Sequence, residues 1–217
     1  MKAIGINGSP RKKWNTATIL DHAMQGAASL GAETETFHLY DLDFKGCVSC
    51  FACKTKDGSS YGRCARQDDA TPVLEKLDEV DVIILASPIY FGTVTGEMRS
   101  FMERLLFPYM TYTDPPGSLF PSGKLRTGFI YTLGATEELA KERGFDKHIV
   151  LNEMLLKMIF GVSETLCSYD TYQFDDYSKV YAPRWDPEQK ARTRSEVFPV
   201  DCRRAFEMGS RLASASR

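Results

Sequence analysis

Residues 4–16, Ile-Gly-Ile-Asn-Gly-Ser-Pro-Arg-Lys-Lys-Trp-Asn-Thr, constrain the fold of this chain more than any other stretch. The mostly apolar run 2–7 predicts a short buried strand. From Ile19 to Leu30 apolar residues recur at helical spacing, and Gly31 stands where a helix C-cap is expected. The stretch is therefore predicted to turn from a strand into a helix N-terminus. Such a turn directs backbone N–H groups and the positive helix end at one point, which suits a phosphate.

The side chains of this turn fit an anion. Gly8 permits close approach of the backbone, Ser9, Asn15 and Thr16 offer neutral hydrogen bonds, and Arg11 offers a charge-assisted one. The spacing matches neither the P-loop nor the glycine-rich dinucleotide turn. An ordinary turn between strand and helix is the other interpretation.

Four further segments predict strands. Run 82–86 is apolar throughout, which is typical of a central parallel strand covered on both faces. Residues 33–39 alternate with polar partners and predict an edge strand, and residues 126–132 and 163–169 complete the set. Strands that alternate with helical patterns indicate an α/β domain with a parallel sheet.

Helices are predicted from Thr71, across 98–106 and 145–159, and at the end of the chain. The last helix is expected to bury one face, made of Cys202, Ala205, Phe206, Gly209 and Leu212. Residues 106–125 predict a long loop, and residues 170–198 predict an irregular segment before the last helix. We expect the aromatic side chains of that segment to be buried against the domain or a partner chain. They are Tyr172, Phe174, Tyr177, Tyr181 and Trp185.

The net charge of −2 gives no electrostatic reason to expect binding to nucleic acid or an anionic membrane. No signal peptide and no apolar run of about 20 residues is recognisable, so we expect a soluble cytoplasmic protein. No histidine has a partner motif, and we assign no catalytic side chain.

Four of the six cysteines fall in one predicted loop, residues 41–69. In a reducing compartment such a cluster indicates metal or redox chemistry rather than disulfides. Cys47, Cys50, Cys53 and Cys64 are candidate ligands of an iron–sulfur cluster. Zinc is a second interpretation, and a metal-free loop that keeps its thiols for packing or redox chemistry is a third.

Two loops carry a resemblance to a known family. The motif Gly-Ser-Pro-Arg-Lys at 8–12 with Asn-Thr at 15–16, and Ser-Pro-Ile-Tyr-Phe-Gly at 87–92, resemble the NAD(P)H-dependent FMN reductase family. The resemblance implies one flavodoxin-like, FMN-binding domain over 1–217. It also implies a doubly wound, five-stranded parallel sheet of order 2-1-3-4-5 with helices on both faces. The loops after the first and third strands then flank the point where strand order reverses, and ligands bind there.

The same resemblance implies a site and an activity. FMN would be held non-covalently, and electrons would pass from NAD(P)H to a quinone, a flavin, another small acceptor or a redox protein. A homodimer or homotetramer is implied as well. The cysteine loop resembles that of iron–sulfur flavoproteins, although its last gap is longer here, and this implies as an alternative an electron carrier with a four-iron cluster. A flavin-free nucleotide-binding module is a third alternative. The implied flavin contacts are Ser9, Arg11, Asn15 and Thr16, then Pro88, Ile89, Tyr90, Phe91 and Gly92, and finally Leu133 and Gly134.

Overall fold

A sheet of five parallel strands in the order 2-1-3-4-5 forms the centre of the molecule. The computed structural model describes residues 1–121 and 123–214. Residue 122, inside the predicted loop 106–125, and residues 215–217, at the end of the predicted domain, lie outside the described part. The topology confirms the predicted strand order. The strands are β1 (Lys2–Asn7), β2 (Glu33–His38), β3 (Val82–Pro88), β4 (Arg126–Thr132) and β5 (Val162–Ser168).

The central strand β3 is covered on both faces, as its sequence predicts. Residues 82–86 are 0% exposed. Because successive side chains of a strand point to opposite faces, Ile83 and Leu85 join one core and Ile84 joins the other. The edge strand β2 is largely exposed.

Helices cover both faces of the sheet, which confirms the doubly wound architecture. Helices α1 and α7 bury their apolar sides on one face, and α3 and α5 bury theirs on the other. Two short helices, α4 and α6, were not predicted. The helices are α1 (Asn15–Ala28), α2 (Thr71–Glu75), α3 (Gly96–Leu106), α4 (Glu137–Glu142), α5 (Phe145–Phe160), α6 (Pro187–Arg192) and α7 (Phe198–Ser214).

Helices α1 and α7 approach so closely that two glycines are required. A Cβ added at Gly26 would lie 1.9 Å from the carbonyl oxygen of Phe206, and one at Gly209 would lie 1.8 Å from that of Ala23. The prediction that Phe206 is buried is wrong, because its side chain is 37% exposed. Its backbone faces Gly26, and Met208 fills the buried face instead.

The segment 170–198 is more regular than predicted. It contains α6 and a π-helical turn, Thr193–Val197, that runs directly into α7. Of its aromatic side chains, four are half-buried against the domain, and Tyr181 is 95% exposed in the single chain, so burial of Tyr181 against a partner chain stays a prediction. The four half-buried residues are Tyr172, Phe174, Tyr177 and Trp185. Loop 106–125 packs by Tyr109 and Phe120 against Phe160 at the end of α5.

Within residues 1–121 and 123–214, no helix is both long enough and apolar enough to cross a bilayer.

Candidate functional site

The loops that follow β1 and β3 are tied together at the carboxyl edge of the sheet. Gly8 donates its N–H to the carbonyl of Ala86 at 2.8 Å, and the Thr95 hydroxyl donates to the carbonyl of Gly8 at 2.7 Å. Thr95 is also the N-cap of α3 and accepts from the N–H of Met98. A Cβ at Gly8 would lie 2.9 Å from the Cβ of Met98, so glycine is what allows this contact. The two loops therefore form one surface.

The predicted phosphate residues of the first loop lie together at the start of α1. Ser9, Asn15 and Thr16 are buried, whereas Arg11 is exposed. Ser9 receives the N–H of Arg11 on its Oγ at 3.2 Å. The hydroxyls of Thr16 and Thr132 share a hydrogen bond of 2.7 Å, which joins this loop to the end of β4.

Helix α1 begins without a side-chain cap. Its N-cap residue, Trp14, provides no capping hydrogen bond. In the described part of the chain, the backbone N–H groups of Asn15, Thr16 and Ala17 find no acceptor. Unpaired donors at the positive end of a 14-residue helix form a site that favours an anion.

A segment that sequence reasoning missed lies across this loop. The carbonyl of Tyr172 accepts from Asn15 Nδ2 at 2.6 Å and from Trp14 Nε1 at 3.1 Å. The carbonyl of Gln173 accepts from Arg11 Nη1 at 2.8 Å. Arg11 and Asn15, which the sequence assigns to a phosphate, thus donate hydrogen bonds to backbone carbonyl oxygens. Like phosphate oxygens, these are hydrogen-bond acceptors. No local signal could have revealed these contacts, because about 160 residues separate the partners.

The second loop presents its backbone and one aromatic ring. Pro88 ends β3, and Ile89 donates its N–H to Thr132 at 2.9 Å. Phe91, at φ +50°, is fully exposed, and Gly92 follows at φ +87°. Neither of these two residues has an acceptor for its N–H among the described residues.

Tyr90 closes this second loop, because its backbone exchanges hydrogen bonds with that of Thr93. Nearby, burial and the carboxylate of Glu97 raise the pKa of Tyr40 to about 12. The Tyr40 phenol therefore stays protonated at neutral pH.

The third loop, residues 133–135, completes the edge and lines a cavity of about 140 Å³ with Ile89 of the second loop. Gln173 lies over Gly134, since a Cβ there would be 2.5 Å from its Nε2. The structure thus brings Ile89, Leu133 and Gly134 together as predicted neighbours. It adds Gln173, Arg143, Arg184 and Trp185 to the cavity lining.

The cysteine loop is fastened to α3. Arg104, which is 2% exposed, donates from Nη1 to both carboxylate oxygens of Asp68 at 2.6 and 2.7 Å. Its Nε lies 3.4 Å from the sulfur of Cys64. Burial opposes ionisation of Asp68, but hydrogen bonds from Arg104 and Arg66 outweigh it and hold the pKa below its usual value.

The four predicted ligands are not assembled into a metal site. Cys47 and Cys50 are exposed, Cys53 is buried and Cys64 is half-buried. Across the described residues, no group of three or more His, Cys, Asp or Glu side chains is arranged to hold a metal ion. The bond from Arg104 directs the Cys64 sulfur toward α3, and burial raises the pKa of the Cys53 thiol. The other three thiols of the loop add electrostatically to the raised pKa of Cys53, so the four sulfurs lie near one another, although among the described residues they are not arranged as metal ligands.

Solved structures resemble the whole fold. An NAD(P)H:quinone oxidoreductase from Methanothermobacter marburgensis matches with a TM-score of 0.69 at 14% identity and covers 98% of each chain. An FMN-dependent NADH-azoreductase from Bacillus anthracis, solved in complex with FMN, matches with a TM-score of 0.63 at 14% identity, covering 99% of this chain and all of that one. Because these identities are low, the likeness establishes the flavodoxin-like fold and nothing further.

Curated relatives resemble about half of the chain. An iron-sulfur flavoprotein of Methanocaldococcus jannaschii is 40% identical over 104 residues, which is 48% of this chain and 51% of that protein. One from Archaeoglobus fulgidus is also 40% identical over 104 residues, which is 48% of each chain. The chain thus spans about half the length of the curated relatives it matches.

The family model for NADPH-dependent FMN reductase matches residues 1–122, which include the first two loops of the site. Since the match extends over more than half of the 217 residues, the chain belongs to the NADPH-dependent FMN reductase family.

Proposed function

We propose that this protein is an FMN-dependent oxidoreductase that takes electrons from NAD(P)H and passes them to a quinone, a flavin or another small acceptor. One observation carries the proposal: three loops meet at one sheet edge, and each has backbone N–H groups without an acceptor among the described residues. A phosphate and a flat heterocycle rich in acceptor atoms fit such a surface.

The residues present fit FMN. The open first turn of α1 would receive the phosphate together with Ser9 and Thr16, and the loops at 88–92 and 133–134 would frame the ring. Arg11 has five N–H donors, and only one of them is hydrogen-bonded to a described residue, so the others can reach a phosphate oxygen. When bound, FMN supplies the electron-transfer chemistry, and the protein supplies position and electrostatics.

Two arginines favour the binding of an electron donor that carries phosphate groups. Arg143 and Arg184 line the cavity beside the second and third loops. Neither forms an ion pair with any described carboxylate, so both guanidinium groups are free to attract an anion. This charge is consistent with NAD(P)H, whose phosphates are negative.

Arg11 provides the test of the phosphate site. We expect Arg11→Ala to weaken FMN binding to the apoprotein about 10- to 150-fold, since a charge-assisted hydrogen bond contributes about 1.5–3 kcal/mol. Quenching of flavin fluorescence measures the affinity. Arg203→Ala, which removes an exposed arginine of α7, is the matched control and should bind like wild type. Equal affinities in wild type and Arg11→Ala would contradict the placement of the phosphate.

Anaerobic reduction tests the activity. We expect NAD(P)H alone to bleach the bound flavin rapidly, with turnover when a quinone is added. Slow or absent bleaching, together with electron exchange with ferredoxin, would favour an electron carrier instead. Colourless protein that does not take up FMN would exclude both.

The electron carrier is the second candidate, and the relatives favour it, because they are described as iron-sulfur flavoproteins. A cluster would require the cysteine loop to rearrange from the arrangement described above. Iron and sulfide analysis of protein purified without oxygen tests this candidate, and an absence of iron would exclude it.

We also propose that the protein is a homodimer or homotetramer. Helix α5 is apolar on two sides: one side is buried in the core, while Val150, Leu151 and Met154 are 64%, 43% and 57% exposed. A second copy would cover this surface. Sedimentation equilibrium tests the proposal, and a monomer at micromolar concentration would contradict it.

A further inference from the structure

A buried lysine lies behind the third loop of the site. Lys190, on α6, is 1% exposed. Its ammonium group pairs with Asp170 Oδ1 at 2.5 Å and donates to the carbonyl oxygens of Gly134 at 2.6 Å and Thr171 at 3.4 Å. It also lies 4.4 Å from the centre of the Trp185 ring. A lysine at this depth is rare unless it is paired, and here each of its three protons has an acceptor.

The carbonyl groups of the third loop all have partners from the same side. The Leu133 oxygen accepts from the N–H and the hydroxyl of Thr171 at 2.9 and 3.0 Å, and the Gly134 oxygen accepts from Lys190. The Ala135 oxygen accepts from the N–H of Asp170 at 2.8 Å. Segment 168–171 and Lys190 together therefore hold this backbone in one orientation.

The opposite side of the same peptides faces the cavity. In a trans peptide the C=O and the following N–H point in opposite directions, and the cis bond of the described chain lies elsewhere, at Asp114–Pro115. The N–H groups of Gly134 and Ala135 must therefore point away from Thr171 and Lys190. Neither has an acceptor among the described residues, and both residues line the 140 Å³ cavity.

We propose that Lys190 is a positioning residue that holds the Gly134–Ala135 peptide with its N–H directed into the flavin cavity. This inference rests on the proposed function. Lys190 itself does not reach the cavity and acts through the Gly134 carbonyl. Donors fixed in this way stabilise negative charge on a bound ring, and they bind a reduced ring more tightly than an oxidised one. Lys190 therefore raises the reduction potential of the flavin.

The double variant Lys190→Met/Asp170→Asn tests the proposal. It removes the ammonium donor and its counter-ion together, so the net charge does not change. We expect affinity for reduced FMN to fall about tenfold more than affinity for oxidised FMN, which lowers the two-electron potential by about 30 mV. Dye equilibration measures the potential, and fluorescence quenching measures the affinity for oxidised FMN. Lys179→Met, which removes an exposed lysine of the same segment, should leave both unchanged. A potential equal to that of wild type in the folded double variant would overturn the proposal.

Amide hydrogen exchange in the wild-type protein keeps the proposal testable if the double variant does not fold. We expect the amides of Gly134 and Ala135 to exchange rapidly in the apoprotein and to become protected when FMN is added. Protection already present in the apoprotein would show that these N–H groups point inward, and it would overturn the proposal. Failure of wild type to bind FMN at all would instead contradict the proposed function.

Discussion

Replacing Arg104 with methionine should destabilise the protein by detaching the cysteine loop from α3. Arg104 is the buried partner of Asp68, and it also donates to the backbone carbonyls of Lys45 at 3.3 Å and Arg66 at 3.1 Å. Removing one partner of a buried ion pair costs about 3–5 kcal/mol. Asp68 keeps its 2.9 Å bond from the half-buried side chain of Arg66, so we expect the lower value, about 3 kcal/mol. For a chain of this size that corresponds to a fall in Tm of about 6–12 °C.

Urea denaturation measures this loss. The control is Arg99→Met, which removes an exposed arginine of the same helix that lies 3.7 Å from Glu103. Exposed pairs of this spacing contribute only about 0.3–0.5 kcal/mol. Thiol labelling gives a second readout, because Cys53, which is 7% exposed, should react faster once the loop is released. If Arg104→Met lost no more stability than Arg99→Met and its thiols reacted at the wild-type rate, the anchoring role of Arg104 would be wrong.

Because the pKa of Asp68 is lowered in the folded state, its contribution to stability is present above the unfolded pKa of about 3.9 and is lost as pH falls through the lower folded value. The difference in unfolding free energy between wild type and Arg104→Met should therefore narrow between about pH 5 and pH 2 in urea titrations. A constant difference would refute this assignment. Gly209→Ala should cost about 1–3 kcal/mol or more by urea denaturation, because its Cβ would overlap the backbone of α1. Gly96→Ala should not destabilise, because beyond its chain neighbours and its own helix an added Cβ would meet no described atom within 4 Å. Phe91→Gly should not lower the free energy of unfolding, because Phe91 holds a left-handed conformation that glycine adopts without strain. The same variant should slow quinone reduction, and unchanged turnover would exclude a role for the Phe91 side chain.

Local patterns in the sequence predicted the regular elements well where the apolar repeat was long. The five strands and the helices α1, α3, α5 and α7 were all located in this way. The strand order came from the family resemblance rather than from any local pattern. Helix α4 was missed because its six residues are too few for a periodic signal. Helix α6 was missed although Asp186 and Pro187 form an N-cap and first-turn signature that could have revealed it.

The candidate site divides in the same way. The first two loops were recognised because the residues of each motif lie within a few positions of one another in the chain. The contacts that Tyr172 and Gln173 make with the first loop, and the buried pair of Lys190 and Asp170, escaped detection. Lysine side chains are solvated in most proteins, and nothing in the sequence around Lys190 shows that it donates a hydrogen bond to a carbonyl 56 residues away.

The sequence by itself located the five strands, the longer helices and most of the core, and it predicted the turn that we propose to receive an anion, because these depend on side-chain periodicity and backbone preferences within a few residues. Only the tertiary structure decided which carbonyl groups are turned away from the cavity, which thiols are covered and which glycines allow α1 and α7 to touch. Those outcomes depend on groups far apart in the chain, and their energies of a few kcal/mol arise only when folding removes water from between them.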